Sequence, residues 1–293
     1  MNNIRTQKSI YFVINNDIEL KQIPLIFIII MIITFISLGV LVQFTFVNAQ
    51  SDERLPVLLI HGYHSGPEVW TNWVNQLHRD GFDAEAVYFE NDDDCGSSKA
   101  HAYELNEIIE QFKVMTNSDK INIVAHSKGG LDARWYLAND LFNDDVEKLS
   151  MIGTPNHGSP LAIGSLYVPP FIYPLWHDFV CWPAIYDLIP GSDATRAPIN
   201  DNTLYYTIAG DWSPSPYYYP NFFYPPFDPS CSQSYWLPFE RWGNLAISTL
   251  DDGIVPLWSA APNEFVNIGT TNNCHTNLFT SEEYEMVINT LAS

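Results

Sequence analysis

From residue 55 onward the chain alternates short apolar runs with amphipathic stripes. Residues 55–60 form an apolar run that ends at His61-Gly62 and predicts a buried strand. Val69, Trp70, Trp73, Val74 and Leu77 then recur at helical spacing. Residues 85–89 suit a second strand, and Leu105, Ile108, Ile109 and Phe112 mark the next helix. Residues 121–125 predict a third strand, followed by a helix carrying Leu131, Trp135 and Ala138. Residues 149–152 make a fourth. Strands separated by helices of this length build a parallel sheet covered on both faces. The expected fold class is therefore α/β, with a doubly wound, mostly parallel sheet.

The alternation stops near Pro160. Residues 167–242 hold 21 of the chain's 42 aromatics and 13 of its 20 prolines. Proline at that density forbids long helices and central strands. Residues of about 160–242 thus read as an inserted cap or loop excursion containing one further sheet strand, 204–209. Its aromatic runs, 217–219 and 222–224, either line a pocket for an apolar substrate or pack the excursion onto the sheet. Regular pattern resumes with a last strand at 264–268. Thr280 with Glu283 then forms a capping-box signature before Tyr284, Val287, Ile288 and Leu291 on one helical face. No internal repeat is visible.

The first 49 residues differ from the rest. Residues 25–42 carry no charge and are nearly all Ile, Leu, Phe, Met or Val, with Arg5, Lys8 and Lys21 before them. Val47-Asn48-Ala49 has the small-residue pattern of a signal-peptidase site. Two readings stand: a cleaved export signal, or a membrane anchor retained through residues 25–42. Either places residues 50–293 outside the cell, as one domain. The whole chain has a net charge of −21, and loss of 1–49 leaves −22. Such acidity argues against nucleic acid or an anionic membrane surface as a partner. The four cysteines, Cys95, Cys181, Cys231 and Cys274, all lie in the exported part. Two disulfides of undetermined pairing are expected, and the spacing matches no metal motif.

Candidate chemistry centres on Ala125-His126-Ser127-Lys128-Gly129, at the end of the third strand. A serine between small residues at a strand-to-helix turn is a nucleophile elbow, with Ala125 in the first glycine position. Serine needs a base, and the base an orienting carboxylate. Asp251-Asp252-Gly253 and Cys274-His275 follow in the order Ser, Asp, His, both at the expected carboxyl edge of the sheet. Asp252, directly before Gly253, is preferred to Asp251 as the acid, and His275 is the expected base. An imidazole base of ordinary pKa, about 6.5, predicts activity that falls toward acid pH. The amides of Tyr63 and Lys128 are placed to receive an oxyanion. The Lys128 side chain reads as a solvated surface charge or as a cation near the cleft. His126 reads as structural, and His157 as a turn-stabilising or cleft-lining residue.

Taken together, these segments resemble the α/β-hydrolase lipases, in particular the bacterial triacylglycerol lipase and PGAP1-like branch. The resemblance rests on Leu58-Leu59-Ile60-His61-Gly62-Tyr63, Ala125-His126-Ser127-Lys128-Gly129-Gly130-Leu131 and Gly153-Thr154-Pro155-Asn156-His157-Gly158-Ser159. Asp187-Leu188-Ile189-Pro190-Gly191-Ser192, Asp252-Gly253-Ile254-Val255-Pro256 and His275 continue it in the same order. It implies a serine hydrolase of carboxylic esters, often lipid esters. Ser127 would be the nucleophile, Asp252 the acid, His275 the base, and the Tyr63 and Lys128 amides the oxyanion donors. No cofactor is implied, and the many acids single out no structural calcium site. Ala125 and Lys128 depart from the family pattern, and the excursion carries no transferable motif. An acyltransferase or amidase using the same triad, or a non-catalytic binding protein on this scaffold, are the alternatives. Oligomeric state is not expressed in the sequence.

Overall fold

Among the described residues, six strands hydrogen-bond side by side in the order β2-β1-β3-β4-β5-β6, every pair parallel. They are β1 (Val57–Ile60), β2 (Ala84–Ala86), β3 (Ile121–His126), β4 (Val146–Ile152), β5 (Leu204–Gly210) and β6 (Val266–Thr271). The computed structural model describes residues 54–90, 95–166, 181–212, 231 and 250–293, all within the unit Arg54–Ser293. The apolar leader and the aromatic runs at 217–219 and 222–224 lie outside the described residues.

Among the described residues, seven α-helices connect and flank the strands: α1 (Thr71–Arg79), α2 (Ser98–Thr116), α3 (Lys128–Leu137), α4 (Pro160–Ser165), α5 (Trp182–Leu188), α6 (Leu257–Ala260) and α7 (Ser281–Leu291). Successive side chains of a strand point to opposite faces, so each central strand feeds two cores. Leu58 and Ile60 of β1, with Ile123 and Ala125 of β3, pack under Leu105, Ile109 and Phe112 of α2 and Tyr136 of α3. Val57, Leu59, Val124 and Ile152 face Trp73 and Leu77 of α1 and Tyr284, Val287 and Leu291 of α7. Coverage on both faces is why β1 reads as an unbroken apolar run and β3 as one broken only by Asn122 before His126.

Local signals set the helix ends. The Ser97 hydroxyl accepts from the Ala100 amide at the start of α2, and Asn117 ends that helix in the left-handed conformation. Thr280 and Glu283 form the expected capping box on α7. Several boundaries differ from expectation: β1 starts two residues late, at Val57, and β6 runs three residues past 268, to Thr271. β2 closes at Ala86, but the Val87 amide still donates to Leu59, so the missing end is a frayed edge. β4 begins three residues early because Lys148, polar in sequence, ties back through Nζ to the Thr290 carbonyl. β6 starts two residues late because Phe265 belongs to a turn closed onto Pro262 and packs on Tyr205.

The chain leaves β1 for β2 on one side and returns to β3 on the other. The carboxyl ends of β1 and β3 therefore flank the reversal of strand order, where open α/β sheets leave a crevice for ligands.

Candidate active site

The turn after β3 has the geometry its small residues predict. Ser127 sits at φ 53° and ψ −128°, in a region that side chains rarely adopt, and α3 starts at the next residue. Its amide donates to the Ile152 carbonyl at 2.9 Å, which pins the turn to β4. A Cβ on Gly129 would lie 2.3 Å from the His61 carbonyl oxygen, so β1 and α3 can cross only over glycine.

His275 reaches the serine from the far end of the sheet. It opens a short 3-10 turn after β6, and its Nε2 lies 2.8 Å from Ser127 Oγ. Its Nδ1 lies 2.7 Å from Asp252 Oδ2. With Nδ1–H donating to the carboxylate, Nε2 is left to accept the serine proton. The other oxygen of Asp252 accepts the amides of Ile254 and Val255 at 2.9 and 2.7 Å. The His275 amide donates to the Asp252 carbonyl at 2.9 Å, so acid and base are fixed to each other by main chain as well as side chain. Asp251 is used differently: its Oδ1 accepts the Gly253 amide, and its main chain pairs with Pro256 and Trp212. All three relay residues are buried.

The loop after β1 closes on the serine from the opposite side. A Cβ on Gly62 would lie 2.7 Å from Ser127 Cβ, so only glycine lets this backbone approach so closely. Tyr63 follows, and its hydroxyl accepts the Cys181 amide at 3.1 Å. The Lys128 amide, at the first position of α3, has no carbonyl partner within that helix. The two amides named as oxyanion donors thus belong to the segments that meet at Ser127.

The Lys128 side chain corrects the picture of a solvated charge. It is buried, with Nζ 2.6 Å from Asp132 Oδ1, one helical turn on, and 3.3 Å from His101 Nδ1. Asp132 Oδ2 also meets His101 Nδ1 at 2.8 Å, and the imidazole lies flat on Phe89 at 3.9 Å. Burial alone would raise the Asp132 pKa, but Lys128 and His101 outweigh it and hold the carboxyl down at about 2. The charge after the nucleophile is consumed in joining α2 to α3. The Lys–Asp pair was readable from its four-residue spacing; His101 carried no such signal.

His126 faces away from the serine hydroxyl, as a structural residue would. Its Nε2–H donates to the His275 carbonyl at 2.9 Å, and burial, then the nearby His275 and His61, push its pKa well down. His157 pairs with Glu264 at 2.7 Å and stacks on Trp258, tying its turn to the segment before β6. Arg134 is buried and holds the Asn156 and Ala197 carbonyls through its two terminal nitrogens, its pKa lowered by burial to about 10. Nothing in the sequence pattern had marked it.

The cysteines pair as Cys95–Cys181 and Cys231–Cys274. Cys274 directly precedes His275, and Cys181 is the residue whose amide meets Tyr63. Each disulfide therefore ends at a loop of the site.

A parallel sheet with a strained serine turn at its carboxyl edge, met there by a histidine and an aspartate, has the layout of the α/β-hydrolase fold. Comparison with known proteins agrees. Residues 56–176 match the family model described as the alpha/beta hydrolase fold. Over 119 residues the chain is 29% identical to a triacylglycerol lipase of Pseudarthrobacter phenanthrenivorans, covering 37% of this chain and 35% of that protein. A triacylglycerol lipase of Burkholderia plantarii is also 29% identical over 119 residues, covering 37% and 32%. The match thus spans about a third of the length of these curated relatives. Among solved structures, the mature form of a Bacillus licheniformis lipase superposes with a TM-score of 0.64 at 19% identity, over 82% of this chain and 93% of that one. Lipase 1 of Pelosinus fermentans gives 0.56 at 14% identity, over 82% and 99%. The chain has the α/β-hydrolase fold, and its similarities run to lipases.

Proposed function

We propose that this chain is an exported serine hydrolase of carboxylic esters, lipid esters foremost. The observation that carries the proposal is the continuous relay from Ser127 Oγ through His275 to Asp252, with contacts of 2.8 and 2.7 Å. His275 takes the proton as Ser127 Oγ attacks the ester carbonyl. Asp252 holds the imidazole in the right tautomer and stabilises the cation it becomes. The Tyr63 and Lys128 amides receive the oxyanion, each such donor contributing about 3–4 kcal/mol to the transition state. His275 then protonates the leaving alcohol, and water repeats the sequence on the acyl-enzyme. The chemistry needs no cofactor.

The lipid preference rests on the lipase relatives and on the aromatic composition of the excursion. Export rests on the apolar stretch 25–42 and the small residues at 47–49. Fluorophosphonate labelling of wild type and Ser127→Ala tests the core of the proposal. Labelling of the wild type alone, with esterase activity falling about 10⁴-fold or more in the variant, is expected. A wild type that resists the probe, or a variant that still reacts, would sink it. An ester series of increasing acyl length then separates a lipase from a short-chain esterase. The N-terminal sequence of the protein recovered outside the cell tests export and cleavage after Ala49.

A further inference from the structure

Three side chains that take no part in the relay converge beside the 61–64 loop. His64 Nε2 lies 3.5 Å from Cys181 Sγ, and Cys181 is bonded to Cys95. The three donor atoms all lie within 4.8 Å of one another. One imidazole nitrogen and two sulfurs are a donor set that zinc and similar soft cations select. With bonds of about 2.3 Å to sulfur and about 2.0 Å to nitrogen, neighbouring donors around tetrahedral zinc stand about 3.5–3.8 Å apart. The His64–Cys181 edge already has that length. The cysteine Cα atoms are 5.0 Å apart, which lets side-chain rotation bring the sulfurs to the same spacing once their bond is open. All three residues are half-buried, so reductant and cation can both enter. Cys231 and Cys274 are fully buried, so a mild reductant meets the Cys95–Cys181 bond first.

We propose that, when a dithiol reductant opens Cys95–Cys181, His64, Cys95 and Cys181 bind one zinc ion or a cation of similar softness. The reductant supplies two electrons and two protons, leaves as its own cyclic disulfide, and yields two protein thiols. The cation then displaces both thiol protons to solvent, and His64 binds as the neutral imidazole through Nε2. Disulfide and metal are alternative occupants of one position, with the fourth coordination place taken by water. Because the Cys181 amide donates to the Tyr63 hydroxyl, either occupant holds the loop beside Ser127. Sequence spacing hides the site, since its members are separated by 31 and 86 residues.

Cobalt(II) titration of the mildly reduced, anaerobic protein is the test, with thiol counting and mass mapping of alkylated cysteines to identify the opened bond. Binding of one equivalent is expected, with a thiolate-to-cobalt charge-transfer band that zinc abolishes. His64→Ala, which leaves both disulfides intact during folding, should weaken binding at least about 10-fold, in line with loss of one ligand. Cys95→Ser/Cys181→Ser should abolish it. Any of four results overturns the proposal: no band in reduced wild type, a band that survives the double substitution, unchanged affinity in His64→Ala, or loss of the near-UV circular dichroism on reduction before metal is added.

Discussion

Asp132→Asn probes the buried cluster directly behind Ser127. In the wild type the carboxylate meets Lys128 Nζ at 2.6 Å and His101 Nδ1 at 2.8 Å, with all three side chains buried. Removing the negative charge leaves a buried ammonium without the carboxylate it touches. Breaking one half of a buried pair costs about 3–5 kcal/mol, whereas replacing both halves with apolar groups of similar volume is close to neutral. Asp132→Asn should therefore lower Tm by roughly 10 °C, and Lys128→Met/Asp132→Leu should recover most of the loss. Urea unfolding at neutral pH, followed by tryptophan fluorescence, measures both. The acid limb gives a second check. The folded carboxyl is held at about 2, below its unfolded value. Its contribution, about 2 kcal/mol, is complete above about pH 4 and is lost as pH falls toward 2. Across this window the wild type should lose about that much stability relative to the apolar double variant, which has no such carboxyl to titrate. An Asp132→Asn protein within 1 kcal/mol of wild type, or a double variant as unstable as the single one, would refute the reasoning.

Other substitutions test other joints of the fold. Asp252→Asn should keep the fold, since the Ile254 and Val255 amides still find an oxygen, but lower kcat by about 10⁴-fold; steady-state kinetics beside a thermal melt separate the two effects. Gly129→Ala places a methyl 2.3 Å from the His61 carbonyl oxygen and should abolish fluorophosphonate labelling, because β1 and α3 must move apart. Glu283→Ala strips the acceptor of Thr271, Asn273 and Thr280 from a fully buried position and should cost about 3 kcal/mol in urea unfolding.

Legibility followed the range of the forces involved. β1 and β3 were clear because coverage on both faces makes β1 wholly and β3 mostly apolar, and α7 because its cap is written in two residues three apart. Ser127, Asp252 and His275 stood out because the turn sterics and the Asp-Gly step are local, while their order along the chain follows from the sheet. Preference for Asp252 over Asp251 agreed with the geometry for a local reason: Oδ1 of Asp252 is taken up by the two amides that follow its own turn. Long-range polar contacts left no trace. Lys128 looked like a surface charge because its second partner, His101, stands 27 residues earlier on α2. Arg134 binds carbonyls, which have no residue identity to read. The start of β6 was misplaced because Phe265, apolar and buried, fills the core from a turn and not from a strand.

The two disulfides have a consequence for when the molecule becomes itself. They close stretches of 86 and 43 residues, which in the chain-entropy model stabilises the folded state by about 4–5 kcal/mol each. Cys181, whose amide meets Tyr63, is fastened to Cys95, and Cys231 to the residue preceding His275. A newly made chain, its thiols still free, has neither fastening. On the proposed export, the compartment that oxidises these thiols takes part in fastening the loops around Ser127.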